Sequence, residues 1–318
     1  MIRPIFFLLL ILLIAMFAGS TFGTATISWR GVLAGEPTAR TVMFDIRVPR
    51  VLLAALVGAA LAAAGVTFQT LLRNPLADPF ILGVSGGAAC GAAVTTALGL
   101  ARIPGVVSIV AFLGACGATA AVFILARRRE YTDPTRLLLS GLILNALFSA
   151  VILIAYALAP STDLTMALRW MMGTLFGATW SDVALLSAFV IAAIVVLITI
   201  AGDLRMLAFG EDDAKSRGID VERIKLIGFA ASSIVTGAAV AVSGIIGFVG
   251  LLVPHLVRLI WRRDFRVLLP LSALGGAILL VLADLASRVA LSTTELPVGA
   301  FTAILGVPFF LSLLRRSR

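Results

Sequence analysis

Charged side chains are scarce in this 318-residue chain, in which Asp, Glu, Lys and Arg together occupy 13% of the positions. A soluble domain carries about 25% charged residues, so too little polar surface is present here to cover a water-facing globule. Hydrophobic residues make up 61% of the chain, and the mean hydropathy is +1.12. The composition predicts a membrane protein whose net charge of +9 lies in loops and does not serve to bind nucleic acid.

Residues that usually perform chemistry are also few. The chain has one histidine and two cysteines, Cys90 and Cys116, which lie in separate apolar segments without metal-ligand spacing or a disulfide framework. No G-x-x-x-x-G-K-[ST] sequence is present, so ATP is not expected to bind through a P-loop. These absences argue against an enzyme and against a cofactor or metal held by this chain. If transport is active, another chain has to supply the energy.

Apolar stretches long enough to cross a bilayer, about 20 residues each, recur along the whole sequence. The uncharged run from Leu226 to Val257 is too long for one crossing, and glycines near residues 244–250 offer a turn within it. We therefore predict an all-α polytopic membrane protein that forms a single transmembrane domain over residues 1–318. The ten predicted spans are 5–22, 51–72, 82–100, 105–126, 137–159, 183–201, 226–243, 246–260, 267–291 and 297–314.

The distribution of basic residues supports an even number of crossings. With a cytoplasmic N-terminus, 18 of the 25 Lys and Arg residues lie at the termini or in cytoplasmic gaps, as the positive-inside rule requires. Fusing the divided pair of spans would move Arg262, Arg263 and Arg266 to the outer side. Both termini are therefore predicted to be cytoplasmic. The first span is interpreted as a retained helix, although Arg3 and the small residues of Ala18–Ser20 also suit a signal peptide.

Charges inside the predicted spans are almost absent. Asp284 is the exception, and Arg288 lies four residues later on the same face of its helix. Intramembrane charges are often functional because their burial is costly, which leaves a proton relay as one interpretation. A structural ion pair near the outer end of the ninth span is the preferred one.

Two runs of small residues echo each other. The sequence of 58–65 is GAALAAAG and that of 237–244 is GAAVAVSG, and a proline follows each run ten residues later, at Pro75 and Pro254. The two runs are predicted to cross the membrane in opposite directions, which indicates an inverted repeat of five plus five helices, a plan common among transporters. Close helix packing would explain the same glycines without a repeat.

Longer motifs follow one another in a fixed order from about residue 45 to the C-terminus. They are Arg47-Val-Pro-Arg50, Arg73-Asn-Pro-Leu-Ala-Asp-Pro79, Leu82-Gly-Val-Ser-Gly-Gly87, Arg136-Leu-Leu-Leu-Ser-Gly141, Trp170-Met-Met-Gly173, Gly247-Phe-Val-Gly-Leu-Leu-Val-Pro-His-Leu-Val-Arg258 and Glu295-Leu-Pro-Val-Gly299. As a set, these motifs resemble the permeases of type II ATP-binding-cassette importers, the family that handles iron-siderophores, haem and vitamin B12.

The resemblance implies a transport subunit of the bacterial cytoplasmic (inner) membrane that moves a metal chelate into the cytoplasm. The implied partners are a second copy of the chain in a homodimer, two cytoplasmic ATPase subunits that bind ATP and magnesium, and a periplasmic substrate-binding protein. A secondary carrier or channel built on an inverted repeat is the alternative function. The identity of the chelate, an iron-siderophore, haem or cobalamin, stays open.

The resemblance also assigns roles to residues at the two faces. Arg47, Arg50 and Arg288 match arginines that meet acidic residues of the binding protein in the vitamin B12 importer, and charge parity places all three outside. Lipid-headgroup anchoring is the alternative for these arginines. On the inner face, the polar loop from about residue 203 to 225 resembles two short helices that couple the permease to its ATPase. The predicted coupling residues are Leu207, Gly210, Glu211, Ala214 and Gly218, and an ordinary solvated loop is the alternative.

Three residues match the cytoplasmic gate of the same importer, namely Asn74, Leu76 and Thr135. Pro134 stands where that importer has a hydroxyl residue, so this part of the gate departs from the pattern. Pro75 and Pro79 are expected to end a helix near the inner mouth. A purely structural turn explains these prolines equally well.

Overall fold

The computed structural model describes residues 2–23, 29–128, 131–261, 264–290 and 295–316. The described part is helical apart from one short hairpin of strands β1 (Arg127–Arg128) and β2 (Tyr131–Thr132), which pair antiparallel. A π-helical turn, Val42–Arg47, and a 3-10 turn, Leu100–Arg102, complete the regular structure. The helices are α1 (Ile2–Thr21), α2 (Trp29–Ala34), α3 (Pro37–Thr41), α4 (Val48–Leu71), α5 (Val84–Ala97), α6 (Val106–Ala126), α7 (Pro134–Leu158), α8 (Ser161–Met171), α9 (Trp180–Thr199), α10 (Ala201–Phe209), α11 (Glu211–Ser216), α12 (Val221–Ser243), α13 (Val249–Trp261), α14 (Phe265–Val289) and α15 (Val298–Arg316).

Each of the ten predicted spans is occupied by a helix, so the prediction of an all-helical polytopic membrane protein is confirmed. Within the described residues, seven helical segments are long and apolar enough to cross a membrane, and they comprise α1, α6, α7, α9, α12, α14 and α4 with the turns before it. The other three spans correspond to the shorter helices α5, α13 and α15. Arg262 and Arg263 lie outside the described residues, but the division of the long apolar run is observed, because α12 ends at Ser243 and α13 begins at Val249.

The short helices α5 and α13 both begin after a residue with left-handed backbone conformation. Gly83 precedes α5 with φ of 86°, and Phe248 precedes α13 with φ of 68°. Glycine adopts this conformation without strain, whereas a bulky residue does so only when its surroundings hold it. The ring of Phe248 lies against Gly306 of α15, where a β-carbon would collide with it. The small residue at 306 therefore makes room for the strained phenylalanine.

An irregular stretch, residues 72–83, connects α4 to α5. Pro75 and Pro79 lack the amide hydrogen that a continuing helix would need. Side chains hydrogen-bond to the backbone of this stretch. The Asp78 carboxylate accepts a hydrogen bond from the Phe80 amide at 2.8 Å, and the Asn145 side chain of α7 donates to the Phe80 carbonyl at 3.1 Å. The stretch is thus held in a defined shape next to α7.

Small residues occupy the closest helix contacts of the bundle, alongside buried large side chains such as Phe68 and Leu61. Helix α4 packs against α9, α12, α13 and α14, and its Gly58 and Gly65 lie against the backbones of Gly276 and Gly250. Helices approach this closely in membranes only where side chains are small. Large apolar side chains such as Phe7, Leu142 and Ile191 are exposed, as expected for surfaces that contact lipid or another subunit.

The packing pairs repeat between the two halves of the chain. Helix α4 contacts α13 and α14, and its counterpart α12 contacts α5 and α6. The pairs α5–α6, α5–α7 and α6–α7 recur as α13–α14, α13–α15 and α14–α15. The first glycines of the two similar runs make corresponding contacts: Gly58 of α4 lies against Gly276 of α14, and Gly237 of α12 lies against Ala115 of α6. These matched pairs support the predicted five-plus-five repeat.

Candidate functional site

Four ionisable side chains form an ion-pair cluster at the predicted outer end of the bundle, and three of them, Arg50, Asp284 and Arg288, are buried. Arg50 of α4 donates from Nε to Asp284 Oδ1 at 2.9 Å and from Nη1 to Glu295 Oε2, also at 2.9 Å. Arg288 forms an ion pair with the other carboxylate oxygen of Asp284 at 3.0 Å. Asp284 is fully buried, and two guanidinium groups offset the cost of burying its charge. The predicted pairing of Asp284 with Arg288 is confirmed, and Arg50 is an additional partner.

The same cluster holds the C-terminal end of α1. Arg47 donates to the carbonyl oxygens of Ser20 at 3.2 Å and Thr21 at 2.6 Å. Arg288 donates to the carbonyl oxygens of Gly19 at 2.9 Å and Phe22 at 3.2 Å. The last carbonyls of a helix have no partner within the helix and carry partial negative charge, so two guanidinium groups are well matched to them. Arg47 and Arg288 thereby tie α1 to α4 and α14.

This geometry bears on the predicted docking residues. Arg47, Arg50 and Arg288 are 4%, 6% and 4% exposed within the chain, and each donates hydrogen bonds to groups of the same chain. A carboxylate of another protein would reach them by displacing one of these partners. Of the two acidic side chains in the cluster, Glu295 is the more accessible, with 29% of its side chain exposed against 1% for Asp284. Docking by these arginines stays a prediction.

At the predicted inner end, the short helices α10 (Ala201–Phe209) and α11 (Glu211–Ser216) lie largely within the polar loop predicted to contact an ATPase and are here called the predicted coupling segment. Helices α10 and α11 meet at Gly210, whose φ of 149° suits glycine, and Gly218 follows α11 with φ of 78°. The side chains of Leu207 and Ala214 are buried in the core and anchor both helices to the bundle. The predicted pair of short helices is observed, while their coupling role is untested by the chain alone.

The first turn of α11 concentrates acidic charge. Glu211, Asp212 and Asp213 lie there in succession, where the helix dipole favours negative side chains. Together with Arg73, Lys215 and Tyr131, these residues line a cavity of about 400 Å³. The exposed ring of Phe209 lines the same cavity and a second one of about 380 Å³. This surface combines charged side chains with the exposed apolar ring of Phe209.

The second cavity is more basic. Its lining includes the guanidinium groups of Arg73, Arg205 and Arg258 and the carboxylate of Asp264. Arg205 and Asp264 form an ion pair at 3.4 Å, which joins α10 to the start of α14. The predicted coupling segment therefore lies between an acidic and a basic cleft at the predicted inner end of the bundle.

The predicted gate residues lie near the C-terminal end of α4 and the N-terminal end of α7, at the predicted inner end of the bundle. Leu76 and Thr135 are exposed, and Asn74 is partly buried. Asn74 accepts a hydrogen bond from the Leu76 amide at 2.9 Å, and Asp133 accepts one from the Thr135 amide at 2.8 Å and so begins α7. Leu72 and Pro134 line the same narrow cavity, so the two segments are neighbours. Gating itself stays a prediction.

Lys225 is a residue that the sequence motifs did not single out. Its ammonium group lies in a buried position among Glu211, Glu222, Thr132 and the ring of Tyr131. Partial burial and then the Glu211 carboxylate raise the pKa of the Tyr131 phenol, while Lys225 acts to lower it. The signal available in the sequence was a lysine at the start of an apolar helix. Only the structure shows that this lysine connects α11 to the β1–β2 hairpin.

Side chains that usually ligate metals or act as nucleophiles are few in this chain, which has one histidine and two cysteines. Among the residues that the structure describes, no group of three or more His, Cys, Asp and Glu side chains is placed to hold a metal ion. Cys90 and Cys116 are free thiols and only partly buried. The charged groups instead connect helices at the two ends of an apolar bundle.

Comparisons with known proteins extend over almost the whole chain. The family model described as the FecCD transport family matches residues 7–316. The chain is 45% identical over 289 residues to an uncharacterized ABC transporter permease protein, YvrB, of Bacillus subtilis, and the match covers 89% of this chain and 81% of that relative. It is 44% identical to the cobalamin import system permease protein BtuC of Halobacterium salinarum, with 87% and 74% covered. It is 38% identical to the hemin transport system permease protein HmuU of Yersinia pestis, with 98% and 95% covered.

Solved structures agree with these relatives. An inward-facing structure of a metal-chelate type ABC transporter matches with a TM-score of 0.89 and 30% identity, and the match covers 99% of both chains. PsaBC from Streptococcus pneumoniae matches with a TM-score of 0.58 and 17% identity, covering 86% of this chain and 92% of that one. The second likeness concerns the fold alone.

Proposed function

The chain belongs to the FecCD transport family of ABC transporter permeases, and we propose that it carries a metal chelate into the cytoplasm with energy from a separate ATPase subunit. The observation that carries this proposal is agreement over the whole length: the family model covers residues 7–316 and the metal-chelate type transporter covers 99% of the chain. Relatives named for cobalamin and for hemin make porphyrin-like chelates the first candidates, with iron-siderophores next.

The proposed assembly is a homodimer in the cytoplasmic membrane with both termini of each chain on the inner side. Two ATPase subunits, which bind ATP and magnesium, contact α10 and α11 from the cytoplasm. The support for this contact is the pair of short helices with buried anchors at Leu207 and Ala214 and an exposed Phe209 between two clefts. A membrane carrier that used an ion gradient would not need such a surface.

A periplasmic binding protein is proposed to dock at the outer end, near Arg47, Arg50 and Arg288. The support is local positive charge: Arg50 and Arg288 share the Asp284 and Glu295 carboxylates, and Arg47, which donates to backbone carbonyl oxygens, adds a third guanidinium group. A carboxylate of the binding protein would enter by replacing Glu295 at Arg50, because Asp284 is enclosed. Charge pairs of this kind form strong, oriented hydrogen bonds with guanidinium groups.

The gate is proposed to involve Asn74, Leu76 and Thr135. These residues lie on two neighbouring segments at the inner end, one irregular and one helical. An irregular segment changes its backbone shape more easily than a helix does, because fewer backbone hydrogen bonds have to break. The Asn145 contact with the Phe80 carbonyl connects the two segments and would let them move together.

Transport in proteoliposomes tests the proposal. The chain is reconstituted with its ATPase and binding protein, and uptake of cobalamin, hemin and a ferric siderophore is measured with and without ATP. We expect ATP-dependent uptake of one of these chelates, the one that the binding protein retains. Uptake that continues when the catalytic residue of the ATPase is disabled would refute the ATP-driven mechanism and favour a secondary carrier or channel.

A further inference from the structure

The ammonium group of Lys225 joins three parts of the inner end. It forms ion pairs with Glu211 Oε1 of α11 at 2.9 Å and with Glu222 Oε1 of its own helix, α12, at 3.1 Å. It donates a hydrogen bond to the carbonyl oxygen of Thr132 at 2.9 Å, and it lies 4.8 Å from the centre of the Tyr131 ring. Two of these elements, α11 and the β1–β2 hairpin, lie far apart in sequence.

The environment of Lys225 makes this junction stiff. The residue is 4% exposed, and a lysine is almost never this deeply buried unless it is paired. An ammonium group has three N–H donors; here it donates to Glu222 Oε1 and the Thr132 carbonyl oxygen, and Glu211 Oε1 lies 2.9 Å away as an ion-pair partner. Because water has little access, separating one of these partners leaves a buried charge poorly compensated. A small displacement of α11 is therefore either resisted or passed on to Lys225, because water does not replace the lost contact.

The hairpin connects this junction directly to α7. Strand β2 ends at Thr132, Asp133 begins α7 by accepting a hydrogen bond from the Thr135 amide at 2.8 Å, and Thr135 is one of the predicted gate residues. The Thr132 carbonyl oxygen thus lies three residues before Thr135 in the chain, so its displacement acts close to the predicted gate. The other partner, Glu211, is the first residue of α11, the helix proposed to contact the ATPase.

We propose that Lys225 is a positioning residue that passes the movement of α11 to the inner end of α7 and so to the gate. This inference rests on the proposed function, since it needs an ATPase that moves α11. The cross-element contacts, with Glu211 on one side and Thr132 on the other, carry the movement. The contact with Glu222 lies within α12 and serves to retain the charge of Lys225.

The two glutamates provide a matched pair of variants. Glu211→Gln weakens the link between α11 and Lys225, while Glu222 and the Thr132 carbonyl still hold the ammonium group. Glu222→Gln removes a carboxylate from the same ammonium group but leaves both links between elements in place. The two variants make the same chemical change, so a difference between them reports the link and not the loss of one negative charge.

The measurement is the number of ATP molecules hydrolysed per chelate taken up, in proteoliposomes that hold the complete transporter. We expect Glu211→Gln to raise this ratio about tenfold, within the range usual for coupling between two sites, and Glu222→Gln to raise it much less, because both links between elements remain. Lys225→Met should act like Glu211→Gln, and Lys225→Arg should restore most of the coupling because it keeps a positive donor. The glutamate pair decides the question if Lys225→Met fails to fold.

A second readout follows the gate directly. In a background of Cys90→Ala and Cys116→Ala, the variant Thr135→Cys is labelled with a maleimide before and after ATP is added. The labelling rate should change with ATP in the otherwise wild-type chain and with Glu222→Gln, but not with Glu211→Gln. Equal behaviour of the two glutamate variants in both assays would overturn the role of Lys225. A wild-type chain without ATP-dependent uptake would instead overturn the proposed function.

Discussion

Removing Arg50 tests whether the arginine cluster at the outer end stabilises the fold or only serves docking. In Arg50→Met, the methionine keeps an unbranched apolar side chain in place, but Asp284 loses its 2.9 Å partner and retains Arg288 alone. The side chains of Arg50 and Asp284 are 8% and 1% exposed, so solvent cannot replace the lost charge. Breaking a buried ion pair from one side costs about 3–5 kcal/mol, and we expect a loss of stability of that size.

The assay is thermal unfolding of the purified chain in detergent, with Arg40→Met as the matched control. Arg40 is an exposed arginine on the same predicted face, so its removal should cost less than about 1 kcal/mol. The difference between the two variants should persist at high salt, because a buried pair is screened much less than an exposed one. Affinity for the binding protein is measured on the same samples.

The opposite pattern would refute this reasoning. If Arg50→Met unfolds at the wild-type temperature and loses affinity for the binding protein, Arg50 acts as a free docking residue and its internal partners contribute little. If both quantities fall, Asp284→Asn separates them, since that change destabilises the cluster without removing any arginine. A stable fold in Asp284→Asn would show that the buried carboxylate is dispensable.

Two further predictions concern packing and pH. Gly65→Ala should destabilise the bundle by about 1–3 kcal/mol, because a β-carbon there would lie 2.6 Å from the Gly250 Cα. The control Gly117→Ala has nothing within 4 Å of the added atom and should unfold at or above the wild-type temperature. Equal effects in the two variants would contradict the close approach of α4 and α13. Burial raises the pKa of Asp78 from 3.8 to about 6, so the folded chain binds this proton more tightly than the unfolded chain does. The corresponding stability is present below about pH 4 and is lost as the pH rises through about 6, by roughly 3 kcal/mol. Between the two ends of this range, wild type should lose more stability than Asp78→Asn by about this amount, and the same pH dependence in both proteins would contradict it.

The number and position of the membrane helices could be predicted from the sequence because they depend on local properties. A run of apolar residues needs about 20 positions to cross lipid, and charges mark where it stops. The division at residues 244–250 was also predictable, since a single helix over the whole run from Leu226 to Val257 would be longer than the bilayer is thick. The short helices α10 and α11 were predicted by resemblance, and their glycines at 210 and 218 are where the backbone requires them.

The residue contacts at the two ends could not be predicted in the same way. The arginines at 47, 50 and 288 were correctly placed near one face, but sequence does not say whether a long side chain points towards a partner or into its own bundle. In the folded chain they point inwards, because the carbonyl groups at the end of α1 and the Asp284 carboxylate lie within their reach. Exposure, on which docking depends, is a property of the packed helices.

By itself, the sequence determined that this chain is an apolar helical bundle of about ten crossings with charged ends, since hydropathy and charge act residue by residue. Only the tertiary structure decided which charges meet. Arg50 and Asp284 are 234 positions apart, and Lys225 and Thr132 are 93 positions apart. Such pairs form because close packing of small residues in α4, α12 and α14 brings helix ends together, and that packing depends on all the helices at once.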